Sequence, residues 1–584
     1  MTRAIGIDLG TTYTVVATIE AGRPRIIPNA EGGHLTPSVV AFTDGSEPLV
    51  GERAVRQAVA NPGGTVFSVK RHMGSDTPVL VDEREHMPQE IASFILRKVI
   101  ADAQEYLGER ITQAVITVPA YFNDRQRQAT KEAAALAGLQ LLRIINEPTA
   151  AALAYGLQQE EAHTVLVWDL GGGTFDVSIL ELGDGIFEVR AVSGDTWLGG
   201  DDFDRRVMDH LALEYRKALG VDIPKEGAAE HQLRALAEKA KVDLTSSLVT
   251  SVQVPVVGLS VSGHVVLQMT REQLVALTKD LLQRMLIPTE QALSDAGLTP
   301  SDIDRLLLVG GATRMPMVRE LARTLFGQEP YRYLDPDEVV ALGAAIQAGV
   351  LLGLVEKVQL LDVLPLSLGI ETQGGLLAKI IPRNTPLPAS GARIFTTAAD
   401  YQTSLDVHVL QGERALAMDD ISLGRFQLSD IPLATRGTPK VEVTFDADVD
   451  GIIHVAATDL LSDNEVKVKL ASTKSLDPQE IASLAEEASR SAEQDREMRR
   501  QIEVMNRAQS LVAAADMTLA QRASAPPADP GKQRIAQALS QLKEALELGA
   551  HEHVEACSAG LQQVLLAASR QSTHAVALGR KPPS

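Results

Sequence analysis

One local pattern occurs twice in this chain: an apolar run contains an aspartate that is followed, after one leucine, by glycine and threonine. The two copies are Ile5–Thr12 (IGIDLGTT) and Val165–Thr174 (VLVWDLGGGT). Glycine allows a tight turn to adopt positive φ and lets backbone N–H groups approach an anion closely, and the aspartate can hold a hydrated cation against that anion. Two such phosphate loops predict two facing lobes around one nucleotide.

The length, composition and charge of the chain limit the classes of protein to which it can belong. At 584 residues the chain is too long for one hydrophobic core, and its length suggests roughly three or four domains. The content of 45% apolar and 22% charged residues is close to that of ordinary soluble proteins. The 76 acidic against 55 basic residues give a net charge of −21, which disfavours non-specific binding to nucleic acid or anionic lipid. We therefore expect no nucleic-acid partner and no membrane partner.

Three local features bear on the compartment. Cys557 is the single cysteine, so an intramolecular disulfide and a multi-cysteine metal site are excluded. The first phosphate loop begins by Ile5, which leaves no room for a cleavable targeting peptide, and we expect a cytoplasmic protein. The apolar run from Val339 to Val355 contains Gln347 and is shorter than the ~20 residues of a membrane span, so it predicts a buried helix.

The pattern of apolar residues changes along the chain. Residues 1–354 alternate apolar strand runs with amphipathic helices, such as a strand at Ala114–Val118 and a helix at Asp124–Ala137, which is typical of an α/β domain. From about Pro365, strict alternation predicts half-buried antiparallel strands with a hairpin turn at Asp450-Gly451. These strands are at 405–409, 441–445 and 466–470.

The last part of the chain is predicted to be helical. Helix formers dominate from about Ser475, with an N-cap at Asp477 and a proline at the first helical position, and helices should continue to Gln571. A proline-rich break at Ala525–Gly531 divides this region. Between the first two regions, Val358–Pro365 is apolar where a domain linker is usually polar. It is either a segment that docks on another surface or an ordinary strand of the second domain.

A third glycine-rich segment, Leu308–Arg314 (LVGGATR), accompanies the two phosphate loops. The sequence contains neither a Gly-x-x-x-x-Gly-Lys-Ser/Thr loop nor a Gly-x-Gly-x-x-Gly dinucleotide fingerprint. The three segments together resemble the nucleotide site of actin, sugar kinases and 70-kDa heat-shock proteins. Further segments resemble motifs of the last group in its order, over nearly the whole chain, and the sequence looks like a DnaK-type chaperone of that family. These segments are Asn61–Arg71, Val118–Asp124, Asn146–Ala151 and Gly194–Phe203.

The resemblance implies a multidomain fold: an actin-like, two-lobed α/β ATPase domain, an all-β sandwich that binds peptide, and an α-helical lid. The boundaries predicted for the ATPase domain, linker, sandwich, lid and tail are 1–354, 355–364, 365–474, 475–571 and 572–584. The implied function is that of an ATP-dependent chaperone in protein folding and the stress response, which binds and releases hydrophobic segments of unfolded clients. Implied partners are a J-domain co-chaperone and a GrpE-like exchange factor, and the protein should be mostly monomeric.

The resemblance also assigns roles at the nucleotide site, with ATP or ADP, Mg²⁺ and a candidate K⁺ as ligands. Lys70 matches the catalytic lysine, Glu147 and Asp176 match carboxylates that orient water and metal, and Asp8 and Asp169 would hold Mg²⁺ through water. Thr174 would add a hydroxyl donor in the second loop. Other predicted nucleotide contacts are Gly10, Thr11, Thr12, Tyr13, Gly171, Gly172, Gly173, Gly199, Gly200, Asp201, Glu238, Lys241, Thr245, Gly310, Gly311, Arg314 and Asp337.

Outside the nucleotide site, the resemblance assigns three further groups. Interdomain coupling would pass through Pro119, Arg143 and Asp362. Peptide would be bound by Gln373, Phe395, Ala398, Leu405 and Val407. Asp400 and Arg436 match positions that latch the lid.

Sequence alone leaves simpler interpretations open. Lys70 could be a solvated surface lysine, and Glu147 could be an acid at the positive end of a helix. Glu238, Lys241 and Thr245 share one helical face because they are three and four residues apart, and an exposed ion-pair face would show the same spacing. The peptide-binding residues could equally be plain core residues of a sandwich.

The chain departs from the family pattern at several points. Trp197 stands where histidine is common, Ala312 and Thr245 stand where serine is usual, and Gln373 stands where methionine is frequent. The stretch from Met73 to Met87 is also shortened. Two rival functions remain: a metabolic kinase, which would need a hydroxyl-activating aspartate in the cleft, and a holdase or exchange factor with residual ATPase activity.

Overall fold

The computed structural model describes most of the chain. The described residues are 3–43, 48–81, 84–156, 162–224, 227–256, 263–356, 358–462 and 464–469, followed by 500–501, 504–505, 507–509, 511–512, 514–520, 529–548 and 551–577. Two compact units are present. The first comprises Met1–Gly369, Lys379–Gly412 and Ile421–Glu486, and the second comprises Ile370–Ala378, Glu413–Asp420 and Glu487–Ser584.

An amino-terminal sheet carries the first phosphate loop. The strands of this region are β1 (Ala4–Leu9), β2 (Tyr13–Glu20), β3 (Arg23–Ile27), β4 (Thr36–Pro37), β5 (Val40–Ala41), β6 (Leu49–Val50), β7 (Thr65–Val66), β8 (Val79–Val81), β9 (Arg84–His86), β10 (Gln113–Val118) and β11 (Gln140–Asn146). The helices are α1 (Glu52–Gln57), α2 (Pro88–Leu107), α3 (Asp124–Leu136) and α4 (Glu147–Gly156), with a 3₁₀ turn at Val69–His72. The sheet order is β11-β10-β1-β2-β3, with β4 beside β2. Because β1 and β10 are parallel, their carboxyl ends bring the first phosphate loop beside the segment after Val118.

A central sheet carries the second phosphate loop. Its region contains β12 (His163–Leu170), β13 (Phe175–Gly183), β14 (Ile186–Asp195), β15 (Val249–Pro255), β16 (His264–Thr270), β17 (Arg305–Val309) and β18 (Gln359–Leu361). The helices are α5 (Gly200–Leu219), α6 (Ala228–Ser246), α7 (Arg271–Leu277), α8 (Lys279–Ala296), α9 (Pro316–Phe326) and α10 (Val339–Leu351), with 3₁₀ turns at Pro300–Asp302 and Gly311–Arg314. The sheet order is β17-β12-β13-β14-β18. Strands β12 and β13 form a hairpin whose turn is the second phosphate loop.

Helix α10 joins the packing of the two sheets. It buries Val339, Ala344 and Ala348 in a core that also contains Val165 and Val167 of the central sheet. Helix α10 approaches α4 closely at Gly343, where a Cβ would collide with the backbone of Ala150. The predicted buried helix in this apolar run is therefore confirmed. Among the described residues, none of the helices is both long and apolar enough to cross a membrane.

The apolar segment after α10 adds a strand to the central sheet. Strand β18 pairs in parallel with β14, so that Leu360 lies opposite Phe187. Leu360 and Val358 pack against the core under this sheet. Of the two interpretations left open by the sequence, the structure shows the docked one.

Eight strands follow this segment. They are β19 (Leu368–Thr372), β20 (Leu376–Ile381), β21 (Ala389–Phe395), β22 (Leu405–Gln411), β23 (Ile421–Leu428), β24 (Val441–Ala447), β25 (Ile453–Asp459) and β26 (Glu465–Lys469), with a 3₁₀ turn at Ala417–Asp419. They form two four-stranded sheets of order β20-β19-β22-β23 and β21-β24-β25-β26. The predicted alternation of buried and exposed residues is confirmed in β24 and β25, which are joined by the predicted turn at Asp450-Gly451.

The carboxyl-terminal region is helical where it is described. Helices α11 (Pro530–Leu548) and α12 (His551–Ala577) bury Ile535, Leu542 and Leu561 against Ala508 and Ala515. The predicted helix start at Asp477, residues 525–528 of the predicted break and residues 578–584 of the predicted tail lie outside the described residues.

Candidate functional site

The two phosphate loops lie against each other. A Cβ added to Gly172 would lie 3.3 Å from the Cβ of Thr12, and one added to Gly173 would lie 2.7 Å from Oγ1 of Thr11. The second loop is closed by the N–H of Gly171, which donates to the carbonyl of Thr174 at 3.1 Å. The facing of the two loops predicted from their sequences is therefore confirmed.

The amino end of α5 is hydrogen-bonded to the second phosphate loop. The N–H of Gly200 donates to the carbonyl of Gly171, and the N–H of Asp201 donates to the carbonyl of Gly172, each at 2.9 Å. Gly199 is needed because a Cβ there would collide with the backbone at Gly172. The structure thus brings this predicted glycine pair to the loop.

Lys70 and Glu147 form a buried ion pair beside the loops. Lys70 lies in the 3₁₀ turn Val69–His72 and is only 6% exposed. Its Nζ donates to Oε1 of Glu147 and lies 5.8 Å from the centroid of the Phe122 ring. The interpretation of Lys70 as a solvated lysine is therefore wrong. Glu147 is the first residue of α4, so it is both a helix-start acid and the partner of Lys70.

Three aspartates lie near this pair, of which Asp169 and Asp176 are buried and Asp8 is half-buried. Asp8 accepts a hydrogen bond from Oγ1 of Thr117 at 3.0 Å, and Asp176 accepts one from the N–H of Tyr121 at 2.9 Å. Burial, and then the negative charge of Glu147, raise the pKa of Asp8 to about 7 and that of Asp176 to about 7. The same two causes raise the pKa of Asp169 well above its ordinary value. The site therefore holds more negative charge than Lys70 alone can balance.

These carboxylates fit a hydrated divalent cation. Oδ2 of Asp176 is buried and has no hydrogen-bond partner among the described residues. Within the same part of the chain, no group of three His, Cys, Asp or Glu side chains is placed to ligate an ion directly. The oxygen-only donor set suits Mg²⁺, which commonly keeps several waters and binds one or two carboxylates. Asp8 and Asp169 would hold such an ion through water.

Lys241 is a buried structural cation. Its Nζ donates to Oδ2 of Asp204 at 2.8 Å and to the carbonyl of Gly200 at 3.2 Å. The interpretation of its helical face as an exposed ion-pair face is wrong for this residue. Lys241 instead ties α6 to the α5 end that meets the second phosphate loop.

The other residues predicted for base and ribose are partly exposed. Glu238 is half-buried on α6. The pKa of Tyr13 is raised first by the burial of Tyr13 and then by the negative charge of Glu238. Thr245 donates through Oγ1 to the carbonyl of Val242 at 2.7 Å. Tyr13 is 40% exposed. These side chains remain predicted ligand contacts.

A charged cluster follows β17. The Arg314 guanidinium donates to Asp337 Oδ2 at 2.6 Å and to Asp335 Oδ1 at 2.6 Å. Gly310 donates through its N–H to the carbonyl of Pro336 at 2.9 Å, and a Cβ on Gly311 would lie 2.8 Å from Asp337 Oδ1. The structure thus joins the predicted Gly310-Gly311, Arg314 and Asp337 into one group, in which Arg314 is held by carboxylates.

Asp362 anchors the segment that follows β18. Both of its carboxylate oxygens accept from Nδ2 of Asn146 at 2.9 Å, and Oδ1 also accepts from the N–H of Val363 at 2.8 Å. Burial raises its pKa, while Arg127 and Arg143 lower it. Asn146 is the residue before Glu147, so the predicted coupling residue lies one hydrogen bond from the chain that carries the Lys70 partner.

Arg127 is a functional candidate that sequence reasoning missed. It is buried and donates to the carbonyls of Phe122 at 3.1 Å and Ala120 at 3.2 Å, and to Oδ1 of Asn146 at 2.7 Å. It also donates to the carbonyl of Asp450 in the β24–β25 turn at 3.3 Å. The predicted residue Pro119 begins the same loop, and its carbonyl accepts from the N–H of Phe122. Arg127 lies between Gln126 and Gln128, so the sequence carried no local signal of its burial.

The β24–β25 hairpin docks on the amino-terminal sheet through two aspartates. Asp450 Oδ1 accepts from the N–H of Ile144 at 3.0 Å. Asp124 Oδ1 accepts from the N–H of Ile453 at 2.9 Å. Arg143 is half-buried in β11 and precedes Ile144, and its charge lowers the pKa of both Asp362 and Asp450. Its role in coupling stays a prediction.

The contribution of Asp124 to the stability of the folded protein should fall as the pH rises. Burial raises the pKa of Asp124 from 3.8 to about 6. Because this pKa is raised by burial in the folded protein, although the N–H of Ile453 lowers it, the contribution of Asp124 to stability is full below 3.8 and is lost as the pH rises through about 6. The shift corresponds to at most about 3 kcal/mol. We expect the free energy of unfolding, measured by urea denaturation, to decrease between these values.

Asp124→Asn should remove this pH dependence because the amide does not titrate. Asp209→Asn changes an exposed aspartate on α5 and is the matched control. An unchanged pH profile in Asp124→Asn would assign the effect to another group.

The residues predicted to bind peptide have mixed environments. Val407 is buried, Leu405 and Phe395 are half-buried, and Ala398 is exposed. Leu405 and Val407 share one side of β22 because strand side chains alternate. In the second unit, Gln373 donates through Nε2 to Oε1 of Gln509 at 3.2 Å. The pocket itself stays a prediction.

The two residues predicted to latch the lid contact each other. Asp400 Oδ1 accepts from the backbone N–H of Arg436 at 2.8 Å, and both residues are exposed. This contact joins two loops of the strand region. Their predicted role toward a lid stays a prediction.

Comparison with protein families places this geometry in context. A family model described as Hsp70 protein matches residues 4–86 and 77–574 of the chain. The match covers both phosphate loops, the docked β18 segment, the two four-stranded sheets and most of the helical region.

Proposed function

Because the chain belongs to the 70-kDa heat-shock protein family, whose members are chaperones and ATPases, we propose that it is an ATP-dependent chaperone. It hydrolyses ATP, and the change from ATP to ADP controls its hold on exposed hydrophobic segments of unfolded clients. Its roles are in protein folding and the stress response, in the cytoplasm.

The observation that carries the proposal is the buried Lys70–Glu147 pair beside two facing phosphate loops. Phosphoryl transfer needs the phosphates positioned, their charge neutralised and a water aligned in line. Backbone N–H groups of the loops position the phosphates, with the hydroxyls of Thr11, Thr12 and Thr174 as further donors. Lys70 stabilises the charge that develops on the transferred group.

Glu147 and Asp176 orient the attacking water in this proposal. Both are buried, and Asp176 has an oxygen without a hydrogen-bond partner among the described residues. Mg²⁺, held through water by Asp8 and Asp169, supplies positive charge to the polyphosphate when bound. K⁺ is a further candidate counter-ion. Tyr13, Glu238, Lys241, Thr245, Arg314 and Asp337 line the base and ribose end.

Hydrolysis is coupled to client binding through the docked segment. Asp362 is held by Asn146, and Arg127 holds the same Asn146 together with the loop at Ala120. Separation of the loops after hydrolysis disturbs these contacts and releases β18 from the central sheet. The strand region, with Phe395, Leu405 and Val407, then closes on an extended peptide through main-chain hydrogen bonds and an apolar pocket.

Two partners complete the cycle in this proposal. A J-domain co-chaperone accelerates hydrolysis, and a GrpE-like factor accelerates the release of ADP. The lid over 475–571 encloses the client, and the protein acts mostly as a monomer.

The proposal is tested by single-turnover hydrolysis of ATP, with and without a J-domain protein and a hydrophobic peptide. We expect hydrolysis by the chain alone and acceleration when both partners are added. Hydrolysis that is indifferent to both partners would favour a holdase or exchange factor with residual activity. Transfer of the γ-phosphate to a small hydroxyl compound, rather than to water, would favour a metabolic kinase.

A further inference from the structure

A cation–π contact joins the two regions of the chain that carry the phosphate loops. Arg71, the residue after Lys70, places its guanidinium carbon 5.4 Å from the centroid of the Trp197 ring. Its Nη2 donates to Asp202 Oδ2 at 2.5 Å and to the carbonyl of Gly173 at 3.0 Å. The Arg71 side chain is only 10% exposed. It therefore reaches from the amino-terminal region to the second phosphate loop and to the start of α5.

Trp197 is fixed to the central sheet. Its N–H donates to Asp195 Oδ1 at 2.9 Å, and its carbonyl accepts from Arg284 at 3.3 Å. Arg284 also donates to Asp195 Oδ2 at 2.6 Å. Because β14 and α8 both hold this turn, the indole is a prepositioned surface for the Arg71 guanidinium.

A second contact runs parallel to this one. Ser68 donates through Oγ to Asp201 Oδ2 at 2.7 Å. Ser68 and Arg71 flank Lys70, and Asp201 and Asp202 follow the glycine pair that is bonded to the second loop. Separation of the two phosphate loops requires these contacts to break.

We propose that Trp197 and Arg71 form a clasp that holds the two phosphate loops together and slows the release of bound nucleoside diphosphate. The inference rests on the proposed ATPase function and adds a positioning residue that controls the exchange step. Tryptophan provides the strongest aromatic surface for a cation. Histidine, common at this position in the family that the sequence resembles, offers a smaller ring and repels Arg71 when it is protonated.

The test is the rate at which labelled ADP leaves the full-length protein. N-methylanthraniloyl-ADP with Mg²⁺ is bound, chased with excess ADP and followed by fluorescence. We expect Trp197→Ala to release it about 3- to 10-fold faster, since a partly desolvated cation–π contact has this strength. Trp197→Phe, which keeps a ring, should retain most of the slow release. Trp197→His should release faster at pH 6 than at pH 8 because the charged imidazole faces Arg71.

A matched control removes a cation–π contact within one helix. Arg97 lies 5.3 Å from the ring centroid of Phe94 on α2, so Arg97→Ala should leave the release rate unchanged. The double variant Arg71→Ala/Trp197→Ala should release labelled ADP no faster than Arg71→Ala does, because Arg71→Ala already removes the contact with Trp197. A structural role for Trp197 alone would instead slow single-turnover hydrolysis and lower the melting temperature without this non-additivity.

The outcomes separate the inference from the proposed function. If wild-type protein does not bind the labelled ADP, the proposed nucleotide function is wrong. If it binds the label and both Trp197→Ala and Trp197→His release it at the wild-type rate, the clasp is wrong and the ATPase proposal stands. If Trp197→Ala does not fold, Trp197→Phe and Trp197→His decide the question in the same assay.

Discussion

Replacing Lys70 with methionine should slow single-turnover ATP hydrolysis by about 10²-fold or more, because the variant loses a fixed positive charge at the transferred phosphoryl group. Lys70 is 6% exposed, so water cannot replace that charge. Methionine keeps the length of the side chain and limits the loss of packing against Phe122. The effect should appear in the rate of the chemical step and not in the affinity for ATP.

Glu147, the partner of Lys70, complicates the interpretation of the Lys70→Met variant. Removing one member of a buried ion pair leaves the other unpaired and typically costs about 3 to 5 kcal/mol of stability. Glu147 would then be a buried carboxylate without its cationic partner. Lys70→Met/Glu147→Gln restores neutrality, and we expect it to regain stability without regaining hydrolysis.

Lys98→Met is the matched control for the lysine. Lys98 donates to Asp102 at 2.6 Å on α2 and is also largely buried, so its loss removes an ion pair outside the nucleotide site. It should hydrolyse ATP at the wild-type rate. Equal rates for Lys70→Met and wild type would contradict the assignment of the site, whatever their melting temperatures.

Thr174→Ala should also slow hydrolysis, by about 10-fold, since one neutral hydroxyl donor contributes about 1 to 1.5 kcal/mol. The same single-turnover assay measures it. Thr245→Ala removes a hydroxyl that is bonded within its own helix and should leave the chemical step unchanged. If Thr174→Ala and Thr245→Ala hydrolyse ATP at the same rate, the Thr174 hydroxyl takes no part in the chemical step.

Local sequence patterns predicted those parts of the site whose residues are close together in the sequence. An apolar run, an aspartate and a glycine turn are enough to specify a strand and a phosphate loop, which is why Asp8 and Gly172 were predictable. Burial of Lys70 was predictable only through the family resemblance. Spacing alone could not separate a buried Lys241 from an exposed one, because its partner Asp204 lies on a different helix.

Contacts between segments that are far apart in the sequence could not be predicted. Asp124 meets Ile453, and Arg127 meets Asp450, more than 300 residues away. Each of these side chains looks like an ordinary polar position on an amphipathic helix. Trp197 was visible as a departure from the family pattern, but the sign of its effect needed the position of Arg71.

Replacing Asp362 with alanine should uncouple ATP from client binding. In the wild type we expect ATP to weaken affinity for a fluorescent hydrophobic peptide by about 5- to 150-fold, the range of an allosteric coupling of about 1 to 3 kcal/mol. Asp362→Ala removes both acceptors of Asn146 and the acceptor of the Val363 N–H. Strand β18, with only three residues, should then leave β14, and the effect of ATP on peptide affinity should fall to less than about 2-fold.

Two measurements separate uncoupling from misfolding. Hydrolysis by Asp362→Ala should persist, because the Lys70–Glu147 pair is intact, and amide exchange at Leu360 and Leu361 should quicken. Asn146→Ala should give the same loss of coupling, and the double variant should add little, since both remove one interaction. Asp302→Ala, at an exposed turn, is the control. If Asp362→Ala keeps the full effect of ATP on peptide affinity, the docked segment does not carry the coupling, and the contacts that the hairpin makes with Asp124 and, through Asp450, with Ile144 must carry it instead.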